Sequence, residues 1–330
     1  MRILITGAAG YLGSKLTAAF LSQRDVKVMA VDNFCYSQGH LTHEIFNHEN
    51  CTLHRVDVVK DRIVEELVPY ADVIIPLAAI VGAPACDKNH DLAWRTNFAA
   101  IQKIVMHMSP DQHIIYPNTN SGYGTTPPGT ICDESTPLKA ISVYGETKNA
   151  AEEVVLNHPS STVFRLATVF GTSYRMRLDL LVNTLVYDAY WTNKISIFEG
   201  NFRRNFIHIN DIVKLFVKIC RLGPQYDACF GRKRVFNLGH DGINTTKMDL
   251  AKLIASKFYL KVDINTLEKE DPDKRDYNVS SEHARKILSF NPQYDLEMGI
   301  YELRKFCDTL SAEQEIRSKQ IRHMRNVDHH

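Results

Sequence analysis

Short runs of consecutive aliphatic residues alternate with stretches of helical periodicity along the first half of the chain. Strand-like runs fall at Arg2–Thr6 (RILIT), Val26–Val31 (VKVMAV), Leu53–Val56, Val73–Leu77, His113–Tyr116 and Thr162–Leu166. Helical patterns occupy Tyr11 to about Leu21, then about 60–68, 90–107 and 143–157. Within the strand-like runs Ile and Val follow one another without polar alternation, as in strands covered on both faces. The pattern predicts an α/β fold, a doubly wound parallel sheet with helices on each side. From about 173 onward it changes to isolated helices and short strands, which predicts a smaller C-terminal α/β lobe. The expected division is 1–172 and 173–330, with some strands returning to the first half so that the boundary is discontinuous.

The 330 residues carry 39 Lys+Arg against 38 Asp+Glu, with 44% hydrophobic and 23% charged residues. That is an ordinary globular composition with apolar mass for a full core. A net charge of +1 removes the bulk electrostatic argument for a nucleic-acid or membrane-surface partner. The most apolar stretch, Val73 to Cys86, is interrupted by Pro76, Gly82 and Pro84 and falls short of the ~20 residues a bilayer requires. MRILITGAAG shows no apolar h-region or cleavage site before the first strand, so no signal peptide is expected. Seven cysteines (Cys35, Cys51, Cys86, Cys132, Cys220, Cys229, Cys307) show no CxxC spacing, which favours reduced thiols and a cytoplasmic protein. The fourteen histidines are scattered without metal-ligand spacing.

Candidate chemistry begins at the end of the first strand, with Gly7-Ala8-Ala9-Gly10-Tyr11-Leu12-Gly13. Glycines at such a turn let the chain reverse tightly and let a pyrophosphate approach the backbone. The exposed N–H groups and positive end of the following helix then hold the phosphate charge. The spacing is G-x-x-G-x-x-G, looser than the tightest dinucleotide fingerprint. The second strand ends at Asp32, 19 residues after Gly13. A carboxylate there accepts from both adenine-ribose hydroxyls and repels a 2′-phosphate, so the pair predicts a Rossmann domain that binds NAD rather than NADP. Asn33 adjoins this position. Asp57 closes the third strand, where it would reach the adenine amine, with Val58 offering a backbone contact.

A second pattern is Tyr144-Gly145-Glu146-Thr147-Lys148 on a helix-forming stretch. The i, i+4 spacing sets both side chains on one face, roughly 6 Å apart at Cβ. Tyrosine is a poor base at neutral pH, and an adjacent ammonium favours its phenolate. Upstream, the strand HIIYP runs into Asn118-Thr119-Asn120-Ser121-Gly122-Tyr123-Gly124. Together these residues resemble the extended short-chain dehydrogenase/reductases of the NAD-dependent sugar epimerase/dehydratase type. The resemblance covers almost the whole chain. It extends to Leu77-Ala78-Ala79 after the fourth strand, to Asn97, and to Arg204-Asn205-Phe206-Ile207-His208 followed by Asp211.

The resemblance implies that Tyr144 is the base and that Thr119 binds the sugar oxygen and relays its proton. Lys148 tunes Tyr144 and holds the nicotinamide ribose. It implies NAD contacts from the glycine loop, Tyr11, Leu12, Asp32, Leu77, Ala78, Ala79 and Asn97. It also implies nucleotide-sugar contacts from Asn120, Arg175, Arg177, Asp179, Leu180, Asn183, Arg204 and Arg275. A homodimer through about 90–107 and 143–157 is implied as well. Two departures matter. Sugar 4,6-dehydratases carry Asp-Glu after the catalytic Thr, whereas this chain has Asn120-Ser121, which cannot supply acid and base for eliminating water. Where the family often has a substrate-contacting Asn three residues after the Arg of the sixth strand, this chain has Thr168, which is expected to contact the substrate in its place.

Several stretches (VGAPACDKN, YPNTNSGYG, RLATVFGTSYRMRLDLLVN, FRRNFIH, EDPDKRDY) resemble a narrower group, the bacterial GDP-heptose 4-dehydrogenases. That group implies C4 oxidation of a GDP-sugar, in preference to a UDP-sugar. The reading is therefore NAD-dependent oxidation at C4 of a nucleotide-diphosphate sugar by a GDP-heptose 4-dehydrogenase that releases ketone, with a 4-epimerase that reduces it on the other face as the alternative. A catalytically silent NAD-binding scaffold is the alternative of another class.

Overall fold

The uninterrupted Ile/Val runs form the centre of a seven-stranded parallel sheet. The computed structural model describes residues 1–127, 129–222, 233–267 and 276–311. The sheet strands are β1 (Arg2–Thr6), β2 (Lys27–Asp32), β3 (Cys51–Arg55), β4 (Val73–Pro76), β5 (His113–Thr119), β6 (Ser161–Leu166) and β7 (Lys233–Leu238). Their spatial order is β3-β2-β1-β4-β5-β6-β7, and every pairing is parallel. The order reverses between β1 and β4, where the chain leaves β1 for one side of the sheet and returns on the other. Ligands of such sheets bind in the crevice at that switch point.

Both faces are covered, which is why polar alternation is missing. On one face the helices Tyr11–Leu21 and Ile209–Leu222 pack Leu16, Phe20, Ile212 and Phe216 against Ile3, Ile5, Phe164 and Phe236. On the other, Ile101, Ile104, Ala151 and Val155 pack against Leu4, Ile74, Ile114 and Tyr116. The helical stretch expected over 90–107 is His90–Trp94 and Ala100–Met106 joined by a π-helical turn, Arg95–Ala99. The helix over 143–157 is Val143–Leu156, started by Ser142, whose hydroxyl accepts from Gly145 N. The sequence pattern missed the helix Gly39–Phe46, which opens on glycine without a side-chain cap.

A second core lies at the C-terminal side. The helices Leu181–Thr192, Lys247–Ser256 and Leu296–Ser311 enclose Leu185, Val186, Leu250, Ile254, Ile300 and Leu303. Because β7 comes from 233–238, the first 172 residues do not complete the sheet. The described cysteines form no disulfide, and no helix among the described residues is long and apolar enough to cross a membrane.

Candidate active site

A cavity of about 1060 Å³ runs along the carboxyl ends of the strands and beneath the second lobe. Its volume lies at the top of the range usual for ligand pockets. One end is built by the glycine turn. Gly7 adopts φ +70, and a β-carbon on it would lie 2.7 Å from Ala78 N. A β-carbon on Gly13 would lie 2.1 Å from the Gly7 carbonyl oxygen. Only glycine therefore lets the helix Tyr11–Leu21 start this close to β1. Gly10 N donates to Gly7 O (3.0 Å) and Ser14 N to Gly10 O (3.0 Å). Tyr11, Leu12, Leu77, Ala78 and Ala79 line the same wall.

Asp32 closes β2 at 7% exposure and faces this cradle. It accepts from Ala9 N (2.9 Å), Phe34 N (2.8 Å) and Gln38 Nε2 (3.2 Å). Burial raises its carboxyl above the usual range, and those donors together with the Arg175 charge pull it back. Asn33, Asp57 and Val58 also line the cavity; Asp57 accepts from Val59 N (2.9 Å). Glycines that admit a phosphate to the backbone, a helix start and an acid at the end of β2 fit a dinucleotide such as NAD.

At the middle of the cavity β5 ends on Thr119, and the helix Val143–Leu156 presents Tyr144 and Lys148 to the same space. Thr119 Oγ1 accepts from Ser121 N (3.1 Å) and donates to Ser121 Oγ (2.9 Å). Lys148 is 5% exposed, with its Nζ 4.0 Å above the centroid of the Tyr116 ring. Burial drives its amine down to about 7, while the carboxylate of Glu152 works in the opposite direction. Behind these groups Glu152 and Arg165 form a buried ion pair, Nη2 to Oε1 2.6 Å. Asn118 also donates to Glu152.

The second lobe supplies the other end. Arg204 and Lys247 are 3% and 4% exposed and line the cavity together with Phe198 and Tyr277. Arg204 lies 5.9 Å from the Tyr277 ring centroid, and Lys247 Nζ donates to Phe198 O (3.3 Å). Two buried cations beside aromatic walls can hold a diphosphate and a base. Thr168 and Leu180 line the space between. Arg177 sits here as a bidentate partner of Asp179 (2.6 and 3.2 Å), its charge within the field of Tyr144. Burial would raise Asp179, but Arg177 holds it below the usual carboxylate range.

The structure corrects several sequence expectations. Asn97, Asn120 and Asn183 are almost fully buried and do not line the cavity. Asn97 ties the loop after β4 to the tyrosine helix, through Ile80 N and O (2.8 and 3.0 Å) and Thr147 Oγ1 (3.1 Å). Asn120 starts a 3-10 turn that carries its side chain inward. Asn183 pins the loop after Phe170, bonding Gly171 N and O and Arg177 O. Arg175 lines the cavity at its cofactor end, 4.1 Å over the Tyr36 ring and in the field of Asp32, rather than beside Arg204. Burial lowers its guanidinium to about 10. Arg275 lies outside the described residues, as does the tail beyond 311. Sequence reasoning missed Tyr36, Gln38, Ser121, Lys247 and Tyr277. Two had a local signal: Ser121, two residues after Thr119, and Tyr277, which ends the EDPDKRDY stretch.

The model of the NAD dependent epimerase/dehydratase family matches residues 3–239. UDP-glucuronate 4-epimerase 3 of Arabidopsis thaliana is 28% identical over 338 residues, 92% of this chain and 75% of that protein. UDP-glucuronic acid decarboxylase 4 of the same plant is 25% identical over 316 residues, 91% and 67% of the two chains. The crystal structure of UDP-glucuronic acid 4-epimerase from Bacillus cereus, in complex with UDP-glucuronic acid and NAD, superposes with TM-score 0.79 at 23% identity. It covers 94% of this chain and all of the other. These relatives are named for UDP-sugars rather than for a GDP-heptose.

Proposed function

The chain belongs to the NAD dependent epimerase/dehydratase family, and on that premise we propose that it oxidises and re-reduces C4 of a nucleotide-diphosphate sugar, as a 4-epimerase. It is an enzyme of that family with NAD as its cofactor. The observation that carries the proposal is the convergence of Thr119, Tyr144 and Lys148 on the cavity that also holds the glycine cradle and Asp32.

NAD, when bound, supplies the two-electron acceptor for the hydrogen leaving C4. Thr119 binds the C4 hydroxyl, and Tyr144 removes its proton directly or through Thr119. Lys148 stabilises the phenolate by its charge. Arg204 and Lys247 hold the diphosphate, so the sugar is tethered while its other face is presented. The dehydratase outcome lacks support, since Asn120 is turned into the core and Ser121 is a hydroxyl. The UDP-sugar names of the relatives favour UDP over GDP, and their 4-epimerases favour epimerisation. Release of the 4-ketone is the second reading, favoured by the five stretches that resemble GDP-heptose 4-dehydrogenases. A homodimer through the 90–106 and 143–156 helices belongs to the same proposal, supported by Trp94 and Met106, which are exposed on the first of them.

The test offers the purified protein UDP- and GDP-sugars and follows both reduced cofactor and sugar product. A new epimer without accumulating reduced cofactor supports the 4-epimerase. Stoichiometric reduced cofactor supports the 4-dehydrogenase instead. Tyr144→Phe should retain NAD and lose at least about 100-fold in turnover; undiminished turnover would sink the mechanism.

A further inference from the structure

Tyr144, Lys148 and Glu152 stand at i, i+4 and i+8 of one helix, so they share a face. Glu152 is 3% exposed and its carboxylate is fully engaged. Arg165 meets it with Nη2 at 2.6 Å and Nε at 3.2 Å, and Asn118 donates to its other oxygen. Asn118 Oδ1 in turn accepts from Thr119 N (2.8 Å). Glu152 therefore joins the helix that carries the base to the strand end that carries the relay. The groups acting on the Lys148 amine are Glu152 on its own helix, the Tyr116 ring on β5 and Cys86 on the helix Ala83–Lys88, and Tyr144 lines the same cavity one helical turn away. Glu152 is the carboxylate among them.

We propose that Glu152 is a positioning residue that keeps Lys148 protonated beside Tyr144, with Arg165 setting how much of its charge the amine feels. The inference rests on the catalytic reading of Tyr144 and Lys148. It goes beyond a structural strut because the Glu152 charge opposes burial at Lys148, and Arg165 is the guanidinium that neutralises that charge. Burial lowers the amine and Glu152 opposes that, leaving it at about 7. Glu152→Gln removes the opposing charge and leaves Arg165 uncompensated, so the amine deprotonates at lower pH. Arg165→Met leaves the carboxylate unneutralised next to Lys148, so the amine deprotonates at higher pH. An opposite charge at this range moves a titration by roughly one unit or more. On the alkaline side, one unit is about tenfold in the ammonium fraction.

The experiment titrates the Cε resonance of isotopically labelled lysine in the NAD-loaded protein, with Lys148 assigned by its loss in Lys148→Met. The parent, Glu152→Gln and Arg165→Met are compared, alongside the pH dependence of turnover. The expected result is a midpoint displaced by about one unit to acid in the first variant and to alkali in the second, with the alkaline limb of turnover following. Equal loss of turnover in both variants with an unmoved midpoint would overturn the proposal and leave the pair a strut. If either variant does not fold, the sign of the shift in the other decides. A displaced amine midpoint with an unmoved turnover limb would support the assignment of Glu152 and count against the catalytic reading beneath it.

Discussion

Replacing Gly13 by alanine probes the cofactor cradle through the chain's own backbone. The added carbon would stand 2.1 Å from the Gly7 carbonyl oxygen and 2.9 Å from Ala8 Cα, where ordinary contact begins at 3.4 Å. The overlap is roughly 1.3 Å and involves main-chain atoms alone, so no rotamer relieves it. Relief requires the helix Tyr11–Leu21 to withdraw from β1. Overpacking of this kind costs about 1–3 kcal/mol, and the withdrawal also carries the helix start away from the phosphate it is to meet. Gly10→Ala is the comparison, because its β-carbon would lie 3.0 Å from that same oxygen and requires a shift of only a few tenths of an ångström. Denaturant unfolding of the free protein should show Gly13→Ala destabilised by about 1–3 kcal/mol and Gly10→Ala close to the parent. Calorimetric titration should show Gly13→Ala at least about tenfold weaker for NAD, or about 1.4 kcal/mol. A Gly13→Ala protein as stable as the parent, binding NAD as tightly, would refute the packing argument.

Two further outcomes are expected. Burial works against the Glu302 carboxylate, but His208 (2.8 Å) and Thr172 N (3.0 Å) hold it at about 2, against an ordinary 4.5. A depressed carboxylate contributes stability above its unfolded value and loses it as pH falls from about 4.5 towards 2. Allowing for screening at its partly exposed position, the parent should lose about 1–2 kcal/mol more than Glu302→Gln between pH ~5 and ~3. Equal slopes in urea unfolding would refute the link. Asp32→Asn keeps an acceptor for Phe34 N but removes the charge that repels a 2′-phosphate, with Arg175 left in the same neighbourhood. The preference for NAD over NADP should shrink about tenfold or more; an unchanged ratio of binding constants would locate the discrimination elsewhere.

The glycine turn, Asp32 and the Tyr144–Lys148 pair were legible because each is a short-range spacing. Turn, strand end and helical face are set within a few residues, and the chemistry follows from residue type. The asparagines were not legible in that way. Asn97, Asn120 and Asn183 have residue types suited to binding ligand, but the amides of Asn97 and Asn183 are spent on loops that converge from elsewhere in the chain, and Asn120 is buried at the start of a 3-10 turn. Arg175 was read for a diphosphate, and the fold carries it instead over Tyr36.

By itself, then, the sequence determined the doubly wound sheet, the glycine turn with the acid at the end of β2, and the placing of Tyr144 and Lys148 on one helical face. Hydrophobic periodicity and i, i+4 spacing act locally and survive any arrangement of the rest. Only the tertiary structure decided what meets these groups across the cavity. It brought β7 from 233–238 to complete the sheet and set Lys247 and Tyr277 beside Arg204. It also paired Glu152, one turn beyond Lys148, with Arg165. Those contacts join residues on different elements, and burial, which no local spacing encodes, gives them their electrostatic strength.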